Sequence, residues 1–238
     1  MVAKTTATTE FNLDLNAIVE EAFERCGAEL RSGYDLRTAR RSLNLLLLDW
    51  ANRGINLWTI EQGSIPLATG TATYDLPVDT VDLLDHVVRT GSGSTQVDIN
   101  ISRISVSTYA TIPNKTATGR PIQVWVNRKS GATDSSSVVQ YPQVTVWPTP
   151  DPSTSYTFVY WRLRRMKDAG NGINGQDIPF RMLPALVSGL AYMLAMKLPN
   201  AGDRLAMLKA DYDEKWQMAS DEDREKAPIR FVPRQMFW

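Results

Sequence analysis

Apolar positions recur every three or four residues near both ends of the chain and every second residue in its middle. Leu15, Ile18, Ala22 and Cys26 share one face of a first helix, which Asp14 caps and Gly27 ends, and Glu20, Glu21 and Glu24 lie mostly off that face. A second helix, capped by Asp35 and closed by Gly54, carries Leu36, Ala39, Leu43, Leu46, Leu47 and Trp50 at helical spacing. After a glycine-rich loop the period returns. Pro179 or Pro184 opens a third helix with a broad stripe of Leu183, Leu186, Val187, Leu190, Ala191, Leu194 and Leu198. Pro199-Asn200-Ala201-Gly202 breaks it, and Asp203 caps a fourth helix whose face is Leu205, Leu208, Tyr212, Trp216 and Ala219.

The middle of the chain reads as β. Segments 58–60, 64–67, 71–76, 83–89, 97–104, 122–127, 138–147 and 156–165 are rich in Val, Ile, Thr, Tyr and Trp, and turn-formers such as Gly91-Ser92-Gly93-Ser94 and Gly119-Arg120-Pro121 separate them. Roughly seven or eight short antiparallel strands imply a sandwich or barrel. The expected fold is α+β. Residues 11–56 and 178–226 form a four-helix bundle, 57–165 an inserted antiparallel β-sandwich or barrel, 166–177 a Gly-rich linker, and 227–238 an extended C-terminal arm.

That arm changes character. Pro228 and Pro233 forbid a continuous helix, while Ile229, Phe231, Val232, Met236, Phe237 and Trp238 are large and apolar and Arg230 and Arg234 are charged. Ordering so many backbones costs at least as much as burying those side chains returns, so the segment needs a preformed groove. Extended, it reaches about 40 Å. It reads as an arm that docks on another protein, added to a groove or a sheet edge.

Composition narrows the chemistry. The 238 residues are 43% hydrophobic and 22% charged, those of an ordinary folded protein, and 26 basic residues balance 26 acidic ones. A free-standing nucleic-acid binder carries a basic excess, so generic DNA binding is disfavoured. Cys26 is the only cysteine, which leaves no intramolecular disulfide and no multi-cysteine zinc site. No stretch approaches the roughly 20 apolar residues of a membrane span, and the chain is expected in a reducing cytoplasm.

Catalytic signatures are sparse. A Ser-His-Asp triad or His-paired cysteine would have to use His86, the single histidine, which sits in a strand. Gly170, Gly172 and Gly175 spell G-x-G-x-x-G, but outside the βαβ setting that a dinucleotide needs. Asp79, Asp82 and Asp85, with Trp125, Trp147 and Trp161, are the residues that a glycan-binding or glycan-cleaving β-sandwich would use. Two arginine clusters stand out. Arg162, Arg164 and Arg165, with Lys167, end the last strand, where they face DNA or an acidic neighbour, or blunt a sheet edge. Arg37, Arg40 and Arg41 crowd the first turns of the second helix, the wrong end for its dipole, and so call for outside partners such as Glu20, Glu21 and Glu24 of the first helix.

The run from Tyr34-Asp35-Leu36-Arg37-Thr38-Ala39-Arg40-Arg41 through Asn52-Arg53-Gly54-Ile55-Asn56-Leu57-Trp58 resembles the head-to-tail adaptor, or connector, family of short-tailed bacteriophages, the group that includes tail tubular protein A. Ile178-Pro179-Phe180-Arg181-Met182-Leu183-Pro184-Ala185-Leu186, Gly189-Leu190-Ala191 and Tyr160-Trp161-Arg162 are similar to the same family. The resemblance implies a structural virion protein without enzymatic activity or cofactor. It implies a twelve-subunit homo-oligomeric ring beneath the portal protein, with helical bundles around the DNA channel and the β domain directed outward or toward the tail nozzle protein. It also implies an arm, Ile229 to Trp238, that reaches the portal. Glu20, Glu21 and Glu24 against Arg37, Arg40 and Arg41 are the candidate inter-subunit contacts. Phage DNA passes without sequence-specific binding, and the location is the head–tail junction of the virion, reached from the host cytoplasm.

Overall fold

The computed structural model of the chain describes residues 13–31, 33–54, 57–170 and 176–223. In chain order the elements are α1 (Leu15–Cys26), α2 (Gly33–Asn52), β1 (Ile60–Leu67), β2 (Thr73–Asp75), β3 (Thr80–Thr90), β4 (Val97–Asn100), β5 (Ser102–Ile104), α3 (Val106–Thr111), β6 (Thr118–Gly119), β7 (Gln123–Asn127), β8 (Gln143–Trp147), β9 (Thr149–Pro150), β10 (Tyr156–Arg164), α4 (Leu183–Ala195) and α5 (Leu205–Glu222). The fold is α+β, with five α-helices among the described residues and sheets that are mainly antiparallel. The chain divides into two compact units, one within Met1–Trp58 and Met166–Trp238, the other Thr59–Arg165.

In the helical unit, one apolar cluster draws on α1, α2, α4 and α5. Its centre is α4, in which every residue from Ala185 to Ala191 is buried. A helix apolar on all sides must be surrounded, and α4 packs against α1, α2 and α5. Gly189 permits the close approach: a Cβ there would stand 2.8 Å from both Leu46 Cδ2 and Tyr212 Cε2. The Trp50 indole N–H donates to the Tyr212 hydroxyl at 2.9 Å, and its ring meets Trp216 with centroids 5.0 Å apart. A polar chain ties α1, α4 and α5 together. Arg25 bonds Glu21 and the Ser188 hydroxyl, each at 2.8 Å, Ser188 donates to Asp211 at 2.7 Å, and Lys215 also bonds Asp211.

In the β unit, β1-β10-β3-β4 form one antiparallel sheet and β2-β8-β7-β5 a second, with β6 and β9 as a short pair. Strands from both four-stranded sheets feed one core containing Leu67, Leu83, Val88, Val124, Val144, Val146, Phe158 and Tyr160. Phe158 faces Val88 across β10 and β3, and Ile65 across β10 and β1.

Asp14 caps α1, its carboxylate accepting from the Ala17 N–H at 2.8 Å, and Gly27 ends the helix in the left-handed region. Other sequence expectations need correction. α2 begins at Gly33, so Asp35 lies inside its first turn and accepts from the Arg31 N–H at 3.3 Å rather than capping. Asp203 falls in a 3₁₀ turn, Gly202–Arg204, and makes no cap bond to α5. The segment 97–104 is two strands, divided at the buried Ile101: β4 joins β3, while β5 crosses to pair with β7 in parallel. The β6–β9 pair is parallel too, so the strands are not all antiparallel. Segment 138–147 follows a turn in which Asp134 accepts from the Ser136 and Val138 N–H groups at 2.8 and 2.9 Å; Val139 makes an isolated antiparallel bridge to Thr133, and the strand proper is Gln143–Trp147.

Candidate assembly surfaces

The arginines of α2 and those of β10 have opposite fates. On α2, Tyr34, Arg37, Arg40, Arg41 and Asn44 line an open concavity of about 540 Å³. Arg40 reaches the Gly170 carbonyl. Arg41 makes only a 3.3 Å bond to the Thr38 hydroxyl, and Arg37 and Arg41 are both exposed. Neither has a carboxylate within ion-pair distance among the described residues. Arg37 is the nearer of the two to the positive end of the helix dipole, in the second turn of α2.

The acids of α1 do not meet these arginines within the subunit. Glu21 is held by Arg25, while Glu20 and Glu24 are exposed, and no ion pair among the described residues joins any of the three to Arg37, Arg40 or Arg41. The reason is architectural, since α1 and α2 each pack chiefly on α4. The portal-docking candidates Ile229, Arg230, Phe231, Val232, Arg234, Met236, Phe237 and Trp238 lie outside the described residues, as do the residues of the Gly-rich loop from 171 to 175.

On β10 the cluster is consumed internally. Arg162 is buried and bonds Asp79 at 2.5 Å, Glu61 at 2.7 Å and the Thr80 hydroxyl at 3.0 Å. Arg164 bonds Glu61 at 2.7 Å, and Arg165 donates to the Val78 carbonyl at 2.6 Å. Burial on its own would raise the Asp79 pKa, but the Arg162 guanidinium outweighs it and holds the carboxyl below its usual range. β10 lies between β1 and β3, so these arginines do not guard an edge, contrary to that sequence reading.

The residues proposed for a glycan cleft are also engaged. Asp79 holds Arg162, and Asp82 holds Arg103 at 2.7 Å and Arg128 at 3.3 Å. Asp85 accepts from the His86 N–H at 2.8 Å. Trp125 stacks on Tyr109 of α3 with centroids 5.3 Å apart, and the Trp147 indole donates to the Asn114 carbonyl at 2.9 Å. His86 is buried beside Phe158, and neither ring nitrogen has a hydrogen-bond partner among the described residues. No group of His, Cys, Asp and Glu among the described residues could hold a metal ion, and no described helix is long and apolar enough to cross a membrane.

What stands out is surface: an exposed basic face on the helical unit, and in the β unit a buried arginine, Arg162, held by Glu61 and Asp79. Residues 14–232 match the family described as SU10 adaptor protein, and the chain belongs to that family. It is therefore a bacteriophage structural adaptor of the head–tail type, a component of the virion that interacts with other phage head or tail proteins. No curated protein matches the chain.

Proposed function

We propose that the chain is one subunit of a twelve-subunit head-to-tail ring of a short-tailed bacteriophage, similar to tail tubular protein A and seated between the portal protein and the tail nozzle protein. In this reading α1, α2, α4 and α5 act as a four-helix bundle in the ring wall, and the β unit is an inserted sandwich directed outward or toward the tail. The ring encloses the DNA channel at the head–tail junction, and the subunits come from the host cytoplasm. DNA passes without being read, which a chain of zero net charge suits. The role needs no catalytic residue and no cofactor.

The observation that carries this reading is the exposed arginine face of α2, where Arg37 and Arg41 lack acidic partners among the described residues. A closed ring of identical subunits needs two different complementary faces on each copy. The basic face is one, and acids of the next copy, with Glu20, Glu21 and Glu24 as the first candidates, are the other. Each contact can be weak, because ring closure and many arms act together. The arm from Ile229 to Trp238 binds the portal.

Electron microscopy of the purified chain mixed with the portal protein of its own phage tests the reading. A ring stacked on the portal is expected, and a chain that stays monomeric in the mixture contradicts it. Deleting residues 229–238 should abolish portal binding and leave thermal stability nearly unchanged. Retained binding would place the anchor elsewhere.

A further inference from the structure

We infer that the mate of the α2 face is α5 of the next copy, the two helices packing antiparallel. The inference rests on the ring reading above and names the partner surface that it requires. Tyr34, Arg37, Arg41, Leu45 and Leu48 of α2 are spaced three, four, four and three residues apart, which at about 100° per residue puts them on one stripe. Met207, Ala210, Glu214, Met218 and Asp221 of α5 have the same spacing and also form one stripe. Every one of these residues is exposed. Tyr34, Leu45 and Leu48 are 64%, 57% and 58% exposed, and Met207 and Met218 are 62% and 64% exposed. Large apolar side chains lined up on the outside of a small unit mark a contact surface.

The two stripes cannot meet within one subunit. α2 and α5 already touch there through Trp50, Tyr212 and Trp216, which lie on the opposite sides of the two helices from the stripes. Pairing the stripes therefore joins different surfaces of different copies, the heterologous contact that a ring requires. Antiparallel alignment sets Leu48 against Met207, Leu45 against the small Ala210, and Arg41 against Glu214. Arg37 falls beside Met218, its aliphatic stem on the thioether and its guanidinium toward the C-terminal end of α5, where the helix dipole is negative. α1 supplies charge through Glu20 and Glu24, but its large apolar residues Leu15, Ile18, Val19 and Phe23 are all buried, so it offers nothing to Leu45 and Leu48.

Crosslinking of the full chain tests the pairing, on its own and assembled on the portal. In a Cys26→Ser background, Leu48→Cys combined with Met207→Cys should give a covalent ladder of multimers with a short bismaleimide, and either cysteine alone should not. With the native cysteine kept, Arg41→Glu should weaken self-association about tenfold or more, and Arg41→Glu with Glu214→Arg should restore it. Rings that form without the ladder and are not rescued by the charge swap overturn the inference while the ring reading survives. A ladder from Leu48→Cys with Glu24→Cys would likewise overturn it and make α1 the mate. If the parent chain forms no multimer under either condition, the ring reading itself fails and this inference falls with it.

Discussion

Two clusters of three arginines, each within five residues, look alike in the sequence but sit in different surroundings in the folded chain, where one of them is paired with carboxylates. Arg162 and Arg164 lie on an inner strand, where Glu61 and Asp79 take up their charge, and Arg165, just past the strand's end, donates to the Val78 carbonyl. Arg37, Arg40 and Arg41 lie over an open concavity on a helix, and Arg37 and Arg41 face solvent. Arg162 and Arg164 of the first cluster tie strands of their own unit together, whereas Arg37 and Arg41 of the second project to solvent. A run of like charge thus reports a function only after its partners in space are known.

The contrast is tested most strongly by reversing one charge in each cluster. Arg162→Glu puts a third carboxylate beside Glu61 and Asp79, and it should destabilise the β unit by about 2–4 kcal/mol in urea denaturation. That is toward the low side of breaking a buried pair, because both acids keep contact with water. Arg37→Glu with Arg41→Glu should change stability by no more than about 0.5 kcal/mol. Equal losses from the two would erase the distinction between the clusters.

A defect placed in the core of the helical unit sharpens the comparison. Gly189→Ala drives a methyl group into Leu46 and Tyr212 and should cost about 1–3 kcal/mol through overpacking. The protein that remains folded should still assemble, unlike the Arg37→Glu, Arg41→Glu double variant. Sedimentation of the folded fraction separates the two, and loss of assembly by correctly folded Gly189→Ala would show that packing inside the unit, not its surface, governs the ring.

The smallest effect concerns pH. Burial holds the pKa of His86 below the ordinary histidine range, with Asp85 pulling weakly the other way. The unfolded chain therefore takes up the proton first. The stabilisation is complete above about pH 6.5 and is lost as pH falls below it. His86 is the only histidine, and it lies in the β unit. In the helical unit, burial would raise the Asp211 pKa, but its bonds to Lys215 and Ser188 and the nearby Arg25 hold it below the usual range. That contribution persists to about pH 4 and fades only in more acid solution. Hydrogen exchange should show the β unit loosening first on mild acidification, and His86→Phe should remove that early step. A helical unit that loosens first would contradict the assignment.

The helices are legible because their period, the Asp14 cap and the Gly27 stop are local signals, satisfied by neighbours in the chain. The β unit is less legible. Val97–Asn100 and Ser102–Ile104 read as one strand, since nothing nearby in the chain says that they belong to different sheets. The six-residue α3 escapes the pattern, although Ser105, whose hydroxyl accepts from the Thr108 N–H at 3.2 Å, is a usable signal. For the assembly surfaces, the sequence points to the arginines but not to their partners. Glu61 is 101 residues from Arg162 in the chain, a pairing that no spacing rule reveals. The outer stripe of α5 is in principle readable from Met207, Glu214 and Met218, but the buried stripe of Leu208, Tyr212 and Trp216 dominates the pattern and hides it.

In the proposed ring, the exposed arginines of α2 join neighbouring subunits and contribute nothing to the fold. The direct measurement compares the parent chain with the Arg37→Glu, Arg41→Glu variant by mass photometry in the presence of the portal protein, with the thermal midpoint of each recorded in parallel. Closed rings are expected for the parent and isolated subunits for the variant, with midpoints that coincide. A variant that closes rings as readily as the parent, or one that fails to assemble because it has unfolded, contradicts this role of the arginines.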